Sequence, residues 1–367
     1  MSPGSIAVRA FFFGLSRYNL RNPEDTLSKL RLIQCGVGGM GRAWWSNATG
    51  NSPDFDLVAI VDVAQKAIDE AGEALKLPPD RRFNSLEDAI AKVPADAILT
   101  VTPPTIHAPH ARYAMEHGLH VLTEKPIADT MDNAKMMVRL ATQNKRQLVV
   151  AQNYRYRACI QKLKELIASE ILGTFGHGHI DFYIPADFTG TFRETMEYPL
   201  LVDMSIHHLD MIRAVTGKNI VKVTAHTFNP PWSWYKHHAG LNMLMELDGG
   251  LAFSYSGDWS AIGKFTSWNG TWRLQCANGS IHLEDDKVSI ARSEKWNKNL
   301  QIEQIETPAL EAEGQVALLA NFAKAIRDGS PAETSGADNL NSFGAVMAGV
   351  VSAREGRSVM VREITGD

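Results

Sequence analysis

The sequence predicts an α/β protein, with a Rossmann-type doubly wound parallel sheet first and an α+β domain with an open, mainly antiparallel sheet second. Up to about residue 150, short and uninterrupted apolar runs alternate with helical stretches. Beyond Tyr154 the extended stretches instead alternate apolar and polar residues, as strands with one solvated face do. The length of 367 residues is enough for two such domains.

Five apolar runs predict the strands of the first sheet, and helical windows such as 64–75 and 106–117 separate them. The runs are residues 32–35, 57–61, 97–101, 120–122 and 147–151. Because their apolar residues do not alternate with polar ones, we expect strands that helices bury on both faces. The first domain is therefore predicted to consist of βαβ units throughout.

The second domain is predicted to combine helices with five strands. The helices cover residues 160–169, 315–327 and 339–354, and the strands cover 178–184, 221–228, 241–247, 251–259 and 271–276. Turn signals at Asp248-Gly249-Gly250 and Asn278-Gly279 indicate hairpins. We therefore place an amino-terminal extension at 1–29, a dinucleotide-binding Rossmann domain at 30–152 and a substrate-binding and oligomerisation domain at 153–367. The final helices are candidates for packing back on the first domain.

The composition argues against several classes of protein. With 37 basic and 41 acidic residues the net charge is −4, and no long basic run is present, so a nucleic-acid partner is not expected. Cys35, Cys159 and Cys276 lie far apart without a CxxC pair, which predicts neither disulfides nor zinc and favours a reducing, cytoplasmic location. No stretch approaches the roughly 20 apolar residues that cross a bilayer, so no membrane association is expected.

The amino-terminal residues 1–23 contain three arginines, no acid and the apolar run 11–13. This composition could belong to a transit or secretory leader. However, Arg9 interrupts the apolar segment, no twin arginine precedes it, and no small-residue cleavage site stands out. A disordered extension, an oligomer arm or a start codon assigned too early is therefore favoured.

A glycine-rich turn follows the first predicted strand, where residues 36–41 read Gly-Val-Gly-Gly-Met-Gly and match GxGxxG. Such glycines permit a tight turn, close approach of the backbone to a pyrophosphate and close helix–strand packing. Alone the string is weak evidence, because glycine-rich turns that bind nothing are common. Its position between an apolar strand and a helical run favours a dinucleotide site. The predicted cofactor contacts here are Gly36, Gly38, Gly39, Met40 and Gly41.

Asp62 stands 21 residues after Gly41, at the end of the next predicted strand. A carboxylate there would accept hydrogen bonds from the adenosine ribose and would repel the 2′-phosphate of NADP. The following residue is Val63 rather than an arginine, which also favours NAD. Arg42, directly after the loop, could instead meet a phosphate, so NADP stays open as the less favoured cofactor.

The triplet Glu124-Lys125-Pro126 follows the run 120–122, at the carboxyl edge of the predicted parallel sheet. Ligands of doubly wound folds bind outside that edge. A lysine there can be partly desolvated and can donate or relay a proton to a substrate hydroxyl. The alternative is a solvated loop lysine paired with Glu124, and the triplet alone does not decide between the two.

Residues 203–210, Asp-Met-Ser-Ile-His-His-Leu-Asp, predict a largely buried helix. Asp203, His207 and Asp210 share one face of it, and a buried face with two acids and a histidine needs a reason. Asp203 and His207 are four residues apart, close enough for contact, which favours a catalytic histidine over a satisfied core histidine or a capping acid. No metal is expected because a third protein ligand is missing, and His208 is predicted to be structural.

Together these elements resemble the glucose–fructose oxidoreductase/inositol dehydrogenase/rhizopine catabolism (Gfo/Idh/MocA) family of NAD(P)-dependent dehydrogenases. The resemblance runs from about Leu30 to the carboxyl end and is specific to the family, although not to one substrate. One departure is Ser205, where many members have glycine. The motifs that carry the resemblance are the glycine loop, Thr102-Pro103-Pro104 with His107, Glu124-Lys125-Pro126, Asn153-Tyr154-Arg155 and the helix with Asp203 and His207.

The resemblance implies hydride transfer between nicotinamide and a ring secondary alcohol of a sugar, glycoside or cyclitol. Lys125 and His207 would lie at the reacting carbon, and Asp203 would complete the catalytic polar cluster. The further cofactor contacts assigned on this basis are Thr102, Pro103, His107, Glu124, Lys125 and Asn153. The substrate contacts are Tyr154 and Arg155, besides Lys125, Asp203 and His207. Because the second domain of this family often builds oligomers through its open sheet, a homodimer or homotetramer is expected.

Two loops are candidate walls of the substrate site. Residues 229–238 are polar and aromatic, and Trp232 and Trp234 could stack on the C–H faces of a sugar. Aromatic residues are also enriched at subunit interfaces, so that role stays open for both. Residues 188–198 form the second candidate wall, where Arg193 could contact an acidic substrate, although a surface salt bridge is favoured.

Two other functions stay open on the sequence alone. The same fold can hold NAD tightly and run a redox-neutral glycoside cleavage or a sugar-to-sugar hydride exchange. A non-catalytic NAD-binding sensor or transcriptional co-regulator is disfavoured. Such a protein does not need Lys125 and His207 together, and the chain has no predicted DNA-binding segment.

Overall fold

Strands and helices alternate through the first part of the chain in a computed structural model that describes residues 28–366. Of the predicted extension, residues 1–27 lie outside the described residues. The elements are β1 (Leu30–Cys35), α1 (Gly39–Asn47), β2 (Phe55–Val61), α2 (Gln65–Ala74), β3 (Arg82–Phe83), α3 (Leu86–Lys92), β4 (Ala97–Thr100), α4 (Pro104–Glu116), β5 (His120–Thr123), α5 (Met131–Gln143) and β6 (Leu148–Val150).

The first sheet is parallel throughout and has the strand order β3-β2-β1-β4-β5-β6. Its central strands are buried on both faces, as their uninterrupted apolar runs require; every residue of β4 is buried. The order reverses between β1 and β4, which opens a crevice at the carboxyl edge of these two strands. The predicted doubly wound sheet is confirmed.

The second part of the chain mixes long strands with four helices and one short carboxyl-terminal helix-and-strand pair. Its elements are α6 (Ala158–Ala168), β7 (Phe175–Tyr183), α7 (Ser205–Thr216), β8 (Ile220–Phe228), β9 (Gly240–Leu247), β10 (Leu251–Asp258), β11 (Thr271–Cys276), β12 (Gly279–Glu284), β13 (Lys287–Glu294), β14 (Lys298–Ile305), α8 (Gly314–Asp328), α9 (Gly336–Glu355), β15 (Val359–Met360) and α10 (Val361–Thr365).

The second sheet has nine strands in the order β14-β13-β12-β11-β7-β10-β9-β8-β15, and only the β7–β10 pair is parallel. Alternation along its strands separates a packed face from an open one. On β9, for example, Met243 and Met245 are buried whereas Asn242 and Leu244 are exposed. Helix α9 packs on β8, and α7 packs on α9. The predicted open and mainly antiparallel sheet is confirmed.

The penultimate long helix, α8, returns to the first sheet and covers one of its faces. The ring of Phe322 stacks on Phe55 of β2 with 5.7 Å between centroids. Leu318 and Leu319 join the same buried cluster, which also contains Trp44 of α1. Within residues 28–366, no helix is long and apolar enough to cross a membrane.

Acid is expected to destabilise the fold through His120 at the start of β5. Burial lowers the pKa of His120 to about 4; Arg146 acts in the same direction and Asp96 opposes it. In the unfolded chain this pKa is about 6.5. As the pH falls from about 6.5 to 4, the unfolded state therefore binds more protons, and the free energy of unfolding decreases.

Melting temperatures between pH 7.5 and 4 would measure this effect, with His120→Asn as the matched variant. The Nδ1 atom of His120 accepts a hydrogen bond from Gln147 N at 2.9 Å, and an asparagine oxygen can replace that acceptor without titrating. We expect the wild-type melting temperature to fall more steeply with acid than that of the variant. Parallel curves for the two proteins would show that His120 does not contribute.

Candidate active site

Two close backbone approaches shape the glycine turn between β1 and α1. Gly36 has a φ of +84°, and a Cβ there would lie 2.3 Å from the carbonyl oxygen of Val101. A Cβ at Gly41 would lie 2.2 Å from the carbonyl oxygen of Gly36. At Gly38, however, the nearest atom would be Ala67 Cβ at 3.7 Å, an ordinary contact. The fold itself therefore requires glycine at 36 and 41 but not at 38.

The end of β2 lies directly beside this turn. Asp62 Oδ2 accepts hydrogen bonds from the backbone N–H groups of Val37 (2.9 Å) and Gly38 (3.4 Å), and Oδ1 accepts one from Ala64 N (2.9 Å). The neighbouring Val63 is 90% exposed. The structure thus brings the predicted ribose-binding carboxylate to the glycine loop, where it also fixes the loop backbone.

Helix α1 starts at Gly39, immediately after the turn, so its first backbone N–H groups lie at the loop. Such a helix start suits an anionic pyrophosphate. Met40 in its first turn is 51% exposed. Arg42 forms an ion pair with Glu70 of α2, which neutralises the one arginine near the loop that the sequence offered to a phosphate. These residues fit a dinucleotide whose adenosine end lies toward Asp62.

The loops after β4 and β5 are joined by a buried histidine. His107 is fully buried, and its ring nitrogens lie 3.0 Å from the carbonyl oxygen of Pro126 and 2.9 Å from that of Thr102. Burial lowers the pKa of His107 against the opposing effect of these backbone contacts. The buried side chain therefore connects Thr102 in the loop after β4 to Pro126 in the loop after β5, and it is not exposed for the direct cofactor contact that the resemblance implied.

The side chain of Glu124 holds the backbone of the turn that carries Lys125. Its Oε1 accepts a hydrogen bond from Trp44 Nε1 (2.7 Å), and its Oε2 accepts one from the backbone N–H of Lys125 (3.0 Å). Burial raises the pKa of Glu124, while the charge of Lys125 opposes that shift. The carboxyl group thus links α1 to the turn that carries the candidate catalytic lysine.

Lys125 meets the second domain at Asp203. Its Nζ donates to the backbone oxygen of Asp203 (2.7 Å) and to Oδ1 (2.8 Å), while Arg193 Nε donates to Oδ2 (2.6 Å). The side chains of Lys125 and Asp203 are only 12% and 13% exposed. Burial disfavours the Asp203 carboxylate, but the charges of Lys125 and Arg193 outweigh it and hold the pKa of Asp203 far below its ordinary value. Asp203 is therefore a fixed anion between two cations.

His207 lies in α7, one helical turn after Asp203. Asp203 itself belongs to a π-helical segment, Leu200–Met204, that precedes α7. The ring of His207 is buried, stacks on Tyr154 with 4.5 Å between centroids and places Nδ1 3.1 Å from Gln152 Oε1. Burial, followed by the charge of Lys125, lowers the pKa of His207 well below its ordinary value. A neutral imidazole that donates through Nδ1 keeps the lone pair of Nε2 free to accept a proton.

Two family models match this chain, one over each of its two sheets. The family model GFO_IDH_MocA, an oxidoreductase family with an NAD-binding Rossmann fold, matches residues 30–152. A second model, the GFO/IDH/MocA C-terminal domain, matches residues 160–282. The chain belongs to the Gfo/Idh/MocA family. The resemblance predicted from the sequence is thereby confirmed, and the chain is an NAD(P)-dependent oxidoreductase.

Relatives and solved structures extend the comparison over most of this Gfo/Idh/MocA protein. D-apiose dehydrogenase of Rhizobium rhizogenes is 24% identical over 349 residues, 89% of this chain and 96% of that protein. D-glucoside 3-dehydrogenase of Escherichia coli is 27% identical over 212 residues, 55% and 59% of the two chains. An oxidoreductase from Agrobacterium radiobacter, solved with NAD+, L-tartaric acid and magnesium, has a TM-score of 0.80 at 22% identity, covering 92% and 99%.

Arg155 of this family member does not reach the cluster around Lys125. Its guanidinium is 5% exposed and pairs with Asp210 (2.5 Å) and Asp338 (2.6 Å), and Arg213 binds Asp338 from the other side. This network ties α7 to α9 behind His207. The structure therefore differs from the expected substrate contact of Arg155, because the burial and ion pairs of the side chain leave it a positioning role. Asp210 likewise faces this network instead of sharing a site with Asp203.

The two candidate substrate walls are tied to each other. Trp234 Nε1 donates to the carbonyl oxygen of Ala186 (3.0 Å), and the backbone N–H of Lys236 donates to the carbonyl oxygen of Glu194 (3.0 Å). Trp232 is 56% exposed, with its indole N–H donating to Ser260 (3.1 Å). The indole donors are thus taken by the protein, and only the ring faces remain for a ligand.

Gln152 was not predicted as a site residue, and Arg193 lies deeper in the site than its sequence context predicted. Gln152 directly follows the last apolar run of the first sheet. A polar side chain at the carboxyl end of a strand is the sequence feature that could have identified it as a site residue. Its Nε2 is buried and has no hydrogen-bond partner among the residues that the structure describes. For Arg193 a surface salt bridge was favoured over contact with an acidic substrate. Its side chain is instead only 22% exposed, pairs with Asp203 and lies between the rings of Phe188 (4.9 Å) and Phe192 (4.6 Å). His208 is buried and binds Tyr255 and Trp268.

Proposed function

We propose that this chain oxidises a ring secondary alcohol of a sugar, glycoside or cyclitol with NAD, using His207 as base and Lys125 as the group that binds the reacting oxygen. The observation that carries the proposal is the Lys125–Asp203 contact across the two domains, with the neutral ring of His207 one helical turn away. The site opens at the carboxyl edge of the sheet whose glycine loop fits a pyrophosphate.

Each side chain has a distinct part in the reaction. His207 Nε2 accepts the proton of the substrate hydroxyl, and Lys125 Nζ donates a hydrogen bond to the oxygen as negative charge develops there. Asp203 holds Lys125 in place through the hydrogen bonds that its backbone oxygen and Oδ1 accept from Nζ. Bound NAD supplies the hydride acceptor, so the carbon loses a hydride and the oxygen a proton, which leaves a ketone, NADH and the protonated base.

The cofactor is NAD in preference to NADP under this proposal. The Asp62 carboxylate would repel a 2′-phosphate, and the Glu70 carboxylate already neutralises Arg42. We expect Asp62→Asn to raise the affinity for NADPH relative to NADH by about tenfold or more, because the amide retains the acceptor for Val37 N without its charge. Fluorescence titration of both reduced cofactors measures the ratio. Glu70→Gln is the matched variant, because it removes the carboxylate that pairs with Arg42. An unchanged ratio of NADPH to NADH affinity in Asp62→Asn would refute the role of Asp62.

A screen of NAD reduction against inositols, aldoses and glycosides tests the substrate class. Mass spectrometry of the purified protein for retained cofactor distinguishes a redox-neutral enzyme, whose NAD co-purifies and needs no replenishment, from a dehydrogenase that exchanges it. Turnover with a member of the panel supports the proposal. The proposal would be contradicted if no member of the panel reduced NAD and no cofactor co-purified. Binding of added NADH under those conditions would favour a sensor.

A homodimer or homotetramer through the open face of the second sheet is part of the proposal. That face exposes Leu244 (67%) beside cross-strand polar pairs such as His179 Nδ1 with Ser254 Oγ (2.7 Å). An open sheet face with an exposed leucine suits burial against a second copy. Light scattering should give an oligomer for the wild type and a smaller species for Leu244→Glu. A monomeric wild type would refute it.

A further inference from the structure

The side chain of Arg157, just before α6, lacks the partners that a half-buried guanidinium requires. Its Nε is buried, and within residues 28–366 the guanidinium makes no hydrogen bond and no ion pair. Five N–H donors in a fixed fork are costly to bury without an acceptor. The other arginine near the reacting groups, Arg193, by contrast donates to Asp203 through Nε (2.6 Å) and Nη2 (3.5 Å). Arg157 is therefore arranged for an acceptor that the protein does not supply.

On one side Arg157 is linked to the candidate base. Its Cζ lies 5.7 Å from the centroid of the Tyr154 ring, and that ring stacks on His207 at 4.5 Å. Burial lowers the pKa of His207 most, and the charges of Lys125 and Arg157 both act in the same direction. The charge of Arg157 thus disfavours the protonated form of His207.

On the other side Arg157 approaches the glycine loop. A Cβ at Gly314, the first residue of α8, would lie 3.8 Å from Arg157 Cζ and 3.9 Å from Asn153 Nδ2. The next residue, Gln315, places its Nε2 4.0 Å from the sulfur of Met40 in the first turn of α1. Contacts therefore lead from His207 through Tyr154 and Arg157 to the start of α8, and from Gln315 of α8 to the glycine loop.

Groups that carry a positive or partly positive charge meet at the start of α8. The guanidinium, the Asn153 amide and the start of the 15-residue helix α8 converge at Gly314. Glu313 directly precedes α8, and its Oε2 accepts a hydrogen bond from Ala158 N (3.2 Å) at the start of α6; within the described residues it makes no ion pair with Arg157. An incoming anion would meet donors on several sides.

We propose that Arg157 binds an oxyanion within the cleft, through two parallel N–H bonds to one phosphate or carboxylate group. The inference rests on the proposed function, in which NAD occupies the cleft. The anion comes from one of two sources, the nicotinamide-side phosphate of the cofactor or an acidic group on the substrate. Either source makes Arg157 a ligand-binding residue beyond the Lys125–Asp203–His207 cluster.

The test compares Arg157→Gln, which removes the charge, with Arg157→Lys, which keeps it. Arg146→Gln is the matched control, because Arg146 also has a buried Nε without a partner but precedes β6 at the opposite edge of the sheet. Calorimetry gives the affinities for ADP and AMP, which differ by the second phosphate, and fluorescence gives that for NADH. D-Glucuronate and D-glucose, titrated in the presence of NAD, probe the substrate side.

If the cofactor phosphate is the ligand, Arg157→Gln weakens NADH and ADP at least about tenfold, leaves AMP unchanged, and Arg157→Lys restores part of the loss. If a substrate acid is the ligand, nucleotide affinities stay the same and the preference for glucuronate over glucose is lost. Unchanged values for all probes, in variants that melt like the wild type, overturn the inference. A wild type that does not bind NADH would instead refute the proposed function.

Discussion

We expect Lys125→Met to lower kcat by about 10³-fold, because it removes both the hydrogen-bond donor to the reacting oxygen and the positive charge that stabilises it. Methionine has a similar length and keeps the packing of the aliphatic stem. The glycine loop is untouched, since Lys125 Nζ binds only Asp203 within the described residues. NADH affinity should therefore stay at the wild-type value. Steady-state kinetics on the substrate from the screen, together with NADH titration, measure both quantities.

Lys162→Met is the matched control for this variant. Lys162 lies on α6 and pairs with Glu165 of the same helix, outside the cluster at Asp203. Its loss should leave kcat unchanged. In Lys125→Met the Asp203 carboxylate keeps its ion pair with Arg193, so the variant is expected to fold. Full turnover of Lys125→Met with bound cofactor would remove the lysine from the mechanism.

Much of the fold could be predicted because the pattern of apolar residues along the chain shows which faces of the strands are buried. The apolar runs of β1, β2 and β4 are uninterrupted, and the alternation of β9 and β10 reports their half-buried sheet. β13 and β14 were not predicted. The strand β14 is exposed or half-exposed along its whole length, so no buried face marks it. Pairing with β13 alone makes it a strand, which is a tertiary effect.

Residues of the candidate site could be predicted only where a sequence motif marks them. Lys125 and His207 stood out through their motifs, yet the spacing of Asp203 and His207 suggested a mutual contact on a regular helix. In the structure a π-helical segment carries Asp203, whose carboxylate binds Lys125 and Arg193. Arg193 comes from a loop, and no local pattern reveals which acid a loop arginine meets. Arg155 shows the converse, since a motif residue can serve only the core.

The glycine loop allows fold and cofactor binding to be separated by single methyl groups. At Gly41 a Cβ would lie 2.2 Å from the Gly36 oxygen, so Gly41→Ala must displace α1 from the loop. We expect a melting temperature lower by roughly a few degrees and a loss of NADH affinity, because overpacking strains the native state. Calorimetric melting and NADH titration of the variant measure the two effects together.

At Gly38 the same methyl group would meet only Ala67 Cβ, at 3.7 Å, and φ is an unstrained −81°. Gly38→Ala should therefore melt like the wild type. If the pyrophosphate approaches this backbone as closely as the GxGxxG pattern predicts, the methyl group occupies its place, and NADH affinity falls at least about tenfold. A variant that keeps both stability and affinity would show that the dinucleotide does not pass over residue 38. Loss of affinity with full stability is a result that only a ligand in contact with this glycine explains.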